Sequence, residues 1–535
     1  MSDAANSPGP PAQREVKRGV LKAAASMTVL TFVSRLLGLV REQVRGYYLG
    51  TGTSSDAFGL ASTLPNLFRR LLGEGAMTAA FVPVFTGYVE RGDRKQLAEF
   101  LSSFLTLFTC VTALVCVAGI LLSPVIIPAF FTGFAKVEGK IALTVLLTQI
   151  MFPYLFLVCL AAVVQGALNS FKVFSPSAFT PILLNLSIIA LAVLLCRRLP
   201  DPSYGFAAGF LLGGVAQLCF QLPWFFKRVR GLRLSFDWSH PGVKELIRVF
   251  LPGTLTAGIY QVNVFISEII AASLKEGSIA ALQFSIRLQE LVLGVFVISM
   301  TTVILPTLSG QMAQGDHKGF GSTHRFALKV LALVTLPAAA GLIILRRPIV
   351  SLLFRGGAFD EQSIDMTAWA VLFHSMGIYF IGMSRSLNQA FFAMKDLKTP
   401  MLVSLASVVV DIGGSLGFSR FLDHGGIALA NSASAATSTV LMFWLLRRRG
   451  VETGLGEHLA LVVRLLLACA VMWGALTGLM LGVPLTDVHG KLRLCLTLGL
   501  YGVVALAAFA AGCAVFARSE LRQVLGMLPG LRRKA

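Results

Sequence analysis

The sequence has 535 residues, of which 55% are hydrophobic and 13% charged, with a formal net charge of +20. A soluble domain carries roughly 25% charged residues, so this balance excludes a water-soluble globular protein and points to an all-α polytopic membrane protein. The basic residues sit in short loops between apolar runs and lack the interleaved aromatics of a nucleic-acid groove, so they read as membrane topology and no nucleic-acid partner is expected.

In chain order, residues 1–26 read as a cytoplasmic N-terminal tail. Lys17, Arg18 and Lys22 precede the first apolar run much as in a signal peptide. Arg35 interrupts that run and no small-residue cleavage site follows, so a retained first helix is expected. Apolar runs then cover 27–49, 56–89, 99–123, 141–170, 175–196 and 204–226. A second group covers 244–274, 278–312, 326–345, 363–394, 400–418 and 427–446, and two more runs cover 458–481 and 492–516. Each is long enough to cross a hydrocarbon core of about 30 Å as a helix, giving about fourteen transmembrane helices. An even number puts both termini on one side, and the clusters "KRVRGLR", "RRR" and "RRKA" make that side the cytoplasm. "LRRPIVSLLFRGG" places Arg346, Arg347 and Arg355 on the other side, against the trend. It is amphipathic and too short to span, so it is expected to lie along the interface. All eight cysteines lie in or beside apolar segments without CxxC spacing or a nearby His, and read as small hydrophobes.

The chain also repeats itself. Gln165 and Pro176 in "QGALNSFKVFSPSAFTP" match Gln389 and Pro400 in "QAFFAMKDLKTPMLVSL", both 224 positions on. Nearly the same offset places Pro83 on Pro306 and Gly52 on Gly277. The expected organisation is a six-helix bundle over 27–230, a second over 231–449, and two terminal helices with a basic tail over 450–535. An even number of spans per half puts the pseudo-twofold axis along the membrane normal and leaves a cavity between the halves.

Several charges fall inside these spans: Arg35, Arg69, Arg70, Arg287 and Arg385. Each costs about 2.5–3.5 kcal/mol at mid-bilayer on insertion scales. Internal ion pairs are one explanation, Arg69 and Arg70 with Glu74, Arg287 with Glu290, and Arg35 with Glu42. Counting Arg41 and Asp56 as well, however, cations outnumber acids, which leaves room for an anionic ligand. Arg69 and Arg70 lie three and four positions after Asn66, on either side of its direction. Arg35, Gly38 and Glu42 form one stripe, with Gly38 permitting close approach. Arginine is suited to phosphate and pyrophosphate because its planar fork donates two parallel hydrogen bonds. Pro65, Pro83, Pro252 and Pro306 are expected to kink their helices.

"SRLLGLVRE" and "DAFGLASTLPNLFRRLLGEGAMTAAFVP" resemble the signature of the MurJ (MviN) family, bacterial lipid II flippases of the multidrug/oligosaccharidyl-lipid/polysaccharide exporter superfamily. The resemblance covers essentially the whole chain. It implies a flippase that moves the undecaprenyl-pyrophosphoryl disaccharide-pentapeptide (lipid II) from the inner to the outer leaflet of the bacterial cytoplasmic membrane by alternating access, acting as a monomer. Arg35, Arg41, Asp56, Asn66, Arg69, Arg70, Glu74 and Arg287 match the family's cavity positions, the arginines holding the pyrophosphate and sugar end. The last two helices would line a groove for the prenyl tail. In some members a sodium ion sits among the seventh, eleventh and twelfth helices, and Asn263, Ser407 and Asp411 are the nearest candidates here.

Other classes fit less well. A drug or cation antiporter of the same superfamily would want acids in its cavity. A metal-dependent enzyme on polyprenyl phosphate would need a DDxxD-type pair, and GxxxxGK[ST] is missing as well. The expectation is thus a secondary transporter and not an enzyme, with no cofactor beyond a coupling ion. The serious alternative is an exporter of another lipid-linked oligosaccharide, which the same cationic cavity would serve.

Overall fold

A computed structural model of the protein describes residues 11–73, 76–485 and 490–520, which are helical apart from turns, connecting segments and an isolated β-bridge between Gly356 and Phe359. The first half runs α1 (Pro11–Leu49), α2 (Thr53–Leu72), α3 (Ala76–Arg91), α4 (Arg94–Phe130), α5 (Lys140–Ser170), α6 (Ser175–Leu195) and α7 (Ser203–Arg228). It continues with α8 (Pro241–Ala272), α9 (Ser278–Val292), α10 (Ile298–Ala313), α11 (His317–Phe354), α12 (Glu361–Ala393), α13 (Lys398–Leu422) and α14 (His424–Arg448). The last pair is α15 (Leu455–Gly482) and α16 (Lys491–Phe516). Among the described residues, ten helices are long and apolar enough to cross a membrane, which makes this a multi-pass membrane protein.

Three expectations change. First, the described part of the stretch read as a tail, residues 11–26, is helical and continuous with the first span in α1. The Ala- and Lys-containing segment there has good helix propensity. Second, the span expected over 56–89 is two helices, α2 ending at Leu72 and α3 starting at Ala76, while Glu74 and Gly75 lie outside the described residues. Third, most of "LRRPIVSLLFRGG" is no separate segment, because α11, 38 residues long, continues unbroken into it as far as Phe354. Neither Pro337 nor Pro348 ends the helix. The arginines at its end are answered by acids at the start of α12: Arg347 lies 3.1 Å from both Glu361 and Asp365, and Arg355 lies 2.6 Å from Glu361. Arg347 and Arg355 are thereby compensated, while Arg346 donates to the Ile343 carbonyl at 2.6 Å.

The internal repeat has a backbone signature. After α5, Phe171, Lys172 and Val173 donate their N–H groups to the carbonyls of Ala167, Asn169 and Leu168, with Lys172 at φ 60°. After α12, Met394, Lys395 and Asp396 donate to Ala390, Phe392 and Phe391, with Lys395 at φ 59°. The two helices end in the same turn, with a lysine in the left-handed region that usually takes glycine. The second long helix of each half is also interrupted at matching places. Pro83 and Pro306 sit inside α3 and α10. The interval between α2 and α3 corresponds to a π-helical turn, Leu293–Val297, between α9 and α10.

By contact the chain divides into two compact units, one of residues up to Leu49 with Thr53–Gln261, the other of Gly50–Gly52 with Val262 onward. The division falls within α8. In the first unit α5 packs against α2, α4 and α7, and α6 against α1 and α7. Gly205, Gly209 and Gly213, one turn apart on α7, let α6 approach closely. A Cβ on Gly209 would stand 2.7 Å from the Cα of Ile188, and one on Gly213 would stand 2.5 Å from a Leu184 methyl. This is small-residue packing of the kind that substitutes for hydrophobic drive between helices in lipid. In the second unit α12 packs against α9, α11 and α14, and α13 against α14. The terminal helices α15 and α16 pack on each other and on α11.

α2 and α5 are also joined by a buried ion pair. Lys140, the first residue of α5, is 2% exposed and places its Nζ 2.8 Å from Oδ2 of Asp56 in the first turn of α2, which is likewise 2% exposed. The ammonium also sits 4.3 Å from the centre of the Phe134 ring. Removing one member of a buried pair leaves an uncompensated charge, at a cost of about 3–5 kcal/mol. Lys140→Met is therefore expected to lower the detergent melting temperature sharply, and Lys140→Met with Asp56→Leu to recover much of the loss. Gly209→Ala is expected to cost about 1–3 kcal/mol by overpacking. Gly87→Ala on α3, where nothing lies within 4 Å of the added carbon, should leave the melting temperature unchanged or raised.

Candidate functional site

On α1, Glu42 does not pair with Arg35. It takes Arg41 at 2.6 Å and Arg45 at 3.6 Å, with Glu42 and Arg45 both buried. Arg41 Nη1 also donates to Oδ1 of Asn185 on α6 at 3.1 Å, and Asn185 Nδ2 donates back to the Ser34 carbonyl at 3.1 Å. A Cβ on Gly38 would lie 3.8 Å from that same Nδ2, so the close approach that Gly38 allows is that of Asn185. Arg45 reaches the Ser55 carbonyl at 3.2 Å and lies over the Phe58 ring, tying α1 to the start of α2. Two guanidinium groups thus share one carboxylate. Arg35 is exposed and has no polar partner among the described residues.

On α2, Arg69 Nε donates to Asn66 Oδ1 at 2.9 Å, and Asn66 Nδ2 donates to the Ser62 carbonyl at 2.8 Å. This relay, built on i, i+3 and i, i+4 spacing, orients the guanidinium. Arg69 is half-buried and lines a cavity of about 290 Å³ within the first unit, enclosed by α2, α5, α6 and α7. Arg70 is exposed, with no polar partner among the described residues. Glu74, expected beside both, lies outside the described residues. Asp56 is brought to Lys140, in a closed pair and not on the cavity wall.

In the second unit, Arg287 on α9 pairs with Glu290 at 2.8 Å, both side chains half exposed. This is the internal pair that its spacing allows, and an exposed pair of this kind is worth little, about 0–1 kcal/mol. Arg385 on α12 is half-buried. Asn263 on α8 and Asp411 on α13 do meet: Asn263 Nδ2 donates to Asp411 Oδ2 at 2.5 Å. Both residues are buried, and Asp411 Oδ1 and Asn263 Oδ1 have no hydrogen-bond partner among the described residues. Ser407 stands one turn before Asp411, its hydroxyl turned to the Val403 carbonyl. Two unpaired hard oxygens in a buried setting, one carboxylate and one amide, are a donor set that suits a small hard cation.

Sequence reasoning passed over Arg45, Lys140, Asn185, Gln217 and Gln221. Arg45 and Lys140 looked like residues at helix ends. The three amides are single polar residues within otherwise apolar runs, and that was the available signal, since an uncharged amide in a span is retained only where it finds a partner or a ligand.

The family model described as lipid II flippase MurJ matches residues 46–486. A protein of Treponema pallidum (strain Nichols) named probable lipid II flippase MurJ is 37% identical over 445 residues, covering 81% of this chain and 82% of that one. The lipid II flippase MurJ of Burkholderia cenocepacia is 30% identical over 459 residues, covering 85% and 89%. Among solved structures, a lipid II flippase MurJ in an inward closed conformation superposes with a TM-score of 0.77 at 23% identity, over 93% of this chain and 99% of that one. An inward-facing multidrug resistance MATE transporter of the MOP superfamily superposes with a TM-score of 0.67 at 14% identity, over 78% and 94%. The two structural likenesses carry the fold, while the family match and the sequence relatives carry the membership. The chain belongs to the lipid II flippase MurJ family.

Proposed function

We propose that the protein is a lipid II flippase of the bacterial inner membrane, both termini cytoplasmic, acting as a monomer and without enzymatic chemistry of its own. Family membership is the observation that carries this reading. The cationic character of α1 and α2 supports it: Arg41 and Arg45 share one carboxylate, Arg69 is oriented by Asn66, and Arg35 and Arg70 are exposed. In this reading the arginines, with Arg287, receive the pyrophosphate end of the headgroup, for which a bidentate donor is better than a point charge. The prenyl tail stays in lipid along the apolar faces of α15 and α16, where Leu459, Val463, Leu496 and Val503 are exposed. Transport proceeds by alternating access of the two repeat halves.

The cycle is coupled to sodium, for which Asp411 and Asn263 would supply oxygens and Ser407 a nearby hydroxyl. When bound, the ion neutralises the Asp411 carboxylate, a charge that is otherwise costly to keep inside the membrane.

Arg35→Ala, Arg69→Ala and Arg287→Ala should fail to support growth in a strain depleted of its own flippase while melting within a few degrees of the parent protein in detergent. Lysine at these positions should restore part of the activity. Variants that lose stability in step with activity would show the arginines to be structural. The precursor that accumulates on the cytoplasmic leaflet during depletion identifies the cargo, and accumulation of a different lipid-linked oligosaccharide would replace lipid II in this reading. Asp411→Asn is expected to abolish the sodium dependence of transport, and an unchanged dependence would remove Asp411 from the coupling.

A further inference from the structure

The cavity of about 290 Å³ in the first unit has a wall chemistry that the arginine site does not explain. Among the described residues its lining contains one cation, Arg69 on α2, and no Asp or Glu. On the α7 side it is lined by Gln217 and Gln221, which are 7% and 0% exposed. Gln217 Nε2 donates to the Thr180 carbonyl at 3.1 Å, and Gln221 Nε2 donates to the Gln217 carbonyl at 3.1 Å. Those two bonds fix which end of each amide is satisfied. The other end is not: Gln217 Oε1 and Gln221 Oε1 are both buried with no hydrogen-bond partner among the described residues. A buried amide oxygen left unpaired is destabilising, and two of them one turn apart beside the same cavity call for an explanation.

These acceptors constrain what enters. Phosphate oxygens would be repelled by two carbonyl oxygens, while an apolar group would leave them unpaired. What matches is a neutral group that gives N–H or O–H hydrogen bonds to the α7 wall. Gln165 on α5 and Ser177 on α6 extend the polar lining. The volume lies at the lower limit of ligand pockets, roughly 300–1,000 Å³, enough for one sugar ring or a short stretch of peptide but not for a whole glycopeptide.

We propose that this cavity is a subsite for an uncharged, hydrogen-bond-donating part of the lipid-linked headgroup, an acetamido sugar or a peptide amide, read by Gln217 and Gln221. The proposal rests on the flippase reading and deepens it. It separates recognition into two parts: arginines hold charge, and the glutamines recognise the neutral group attached to it. Sites that hydrogen-bond a polar group discriminate strongly against ligands lacking it, because the buried partners are then left unpaired.

The test uses the full-length protein in detergent and measures equilibrium binding, by native mass spectrometry, of three lipids: undecaprenyl pyrophosphate, the same lipid carrying the disaccharide alone, and the complete disaccharide-pentapeptide lipid. Gln217→Met with Gln221→Met keeps the side-chain shape and removes the amides. The expected result is a loss of about tenfold in affinity for the glycosylated lipids with binding of undecaprenyl pyrophosphate unchanged. A loss already present with the disaccharide lipid identifies a sugar, and a loss confined to the complete lipid identifies the peptide. If the double variant does not fold, Gln165→Met, on the partly exposed wall, provides the same comparison. Equal affinities for all three lipids in variant and parent, or an equal loss for all three, would overturn the subsite while leaving the flippase reading intact. Failure of the parent protein to bind the complete lipid at all would overturn both.

Discussion

The constraint on which the structure depends is the cost of an ionised or polar group in a helix that water does not reach. With few charges spread over so many apolar helices, each one that enters a span must find a partner or remain at a wet surface. Lys140 and Asp56 satisfy it by closing on each other at 2.8 Å, joining α5 to α2. Glu42 satisfies it by holding Arg41 and Arg45. Asn185 satisfies it with two hydrogen bonds to α1, and so decides which face of α1 meets α6. The polar contacts specify which helices pair, while glycine surfaces such as that of α7 set how closely they approach.

Where the same constraint is left unmet, function is the natural explanation. Asp411 and Asn263 satisfy one hydrogen bond between them and leave two oxygens open. Gln217 and Gln221 donate to carbonyls and leave two acceptors open beside a cavity. Folding alone would select against such groups, because an apolar residue of similar shape would be at least as stable. The open oxygens of the first pair are those of a carboxylate and an amide, suited to a cation, whereas those of the second pair are both amide oxygens, suited to neutral donors. Proximity of charge separates the two cases: Asp411 brings its own, and among the described residues the glutamine cavity has only the arginine of α2.

The two halves share devices as well as an order of helices. Both end their fourth long helix in a turn with a left-handed lysine, and both interrupt their second one, by a break after Leu72 in one half and by a π turn in the other. π turns and helix breaks concentrate at functional positions because they free backbone groups and re-aim side chains. Here the interruptions follow directly on the helices that carry Arg69, Arg70 and Arg287.

Hydropathy and charge determined the fold class and most span positions, a repeated Gln-to-Pro spacing showed the repeat, and the motifs of the first two spans carried the family resemblance, because all of these are properties of the chain read in order. The approach of Asn263 to Asp411 was anticipated from family resemblance, although the two are 148 positions apart. Tertiary structure decided the pairing. Arg35 and Glu42 share a helical stripe, yet Arg41 and Arg45 reach the carboxylate because Arg35 stands two turns, about 10 Å, away along the axis, while Arg41 is adjacent and Arg45 one turn on. Lys140 lies 84 positions from Asp56, and nothing local to either residue indicates the other. Gln217 and Gln221 are unremarkable as letters in an apolar run. Only the packing of α2, α5, α6 and α7 around one cavity leaves their oxygens without partners, since satisfaction of a hydrogen bond depends on every neighbouring atom and is not a property of the residue itself.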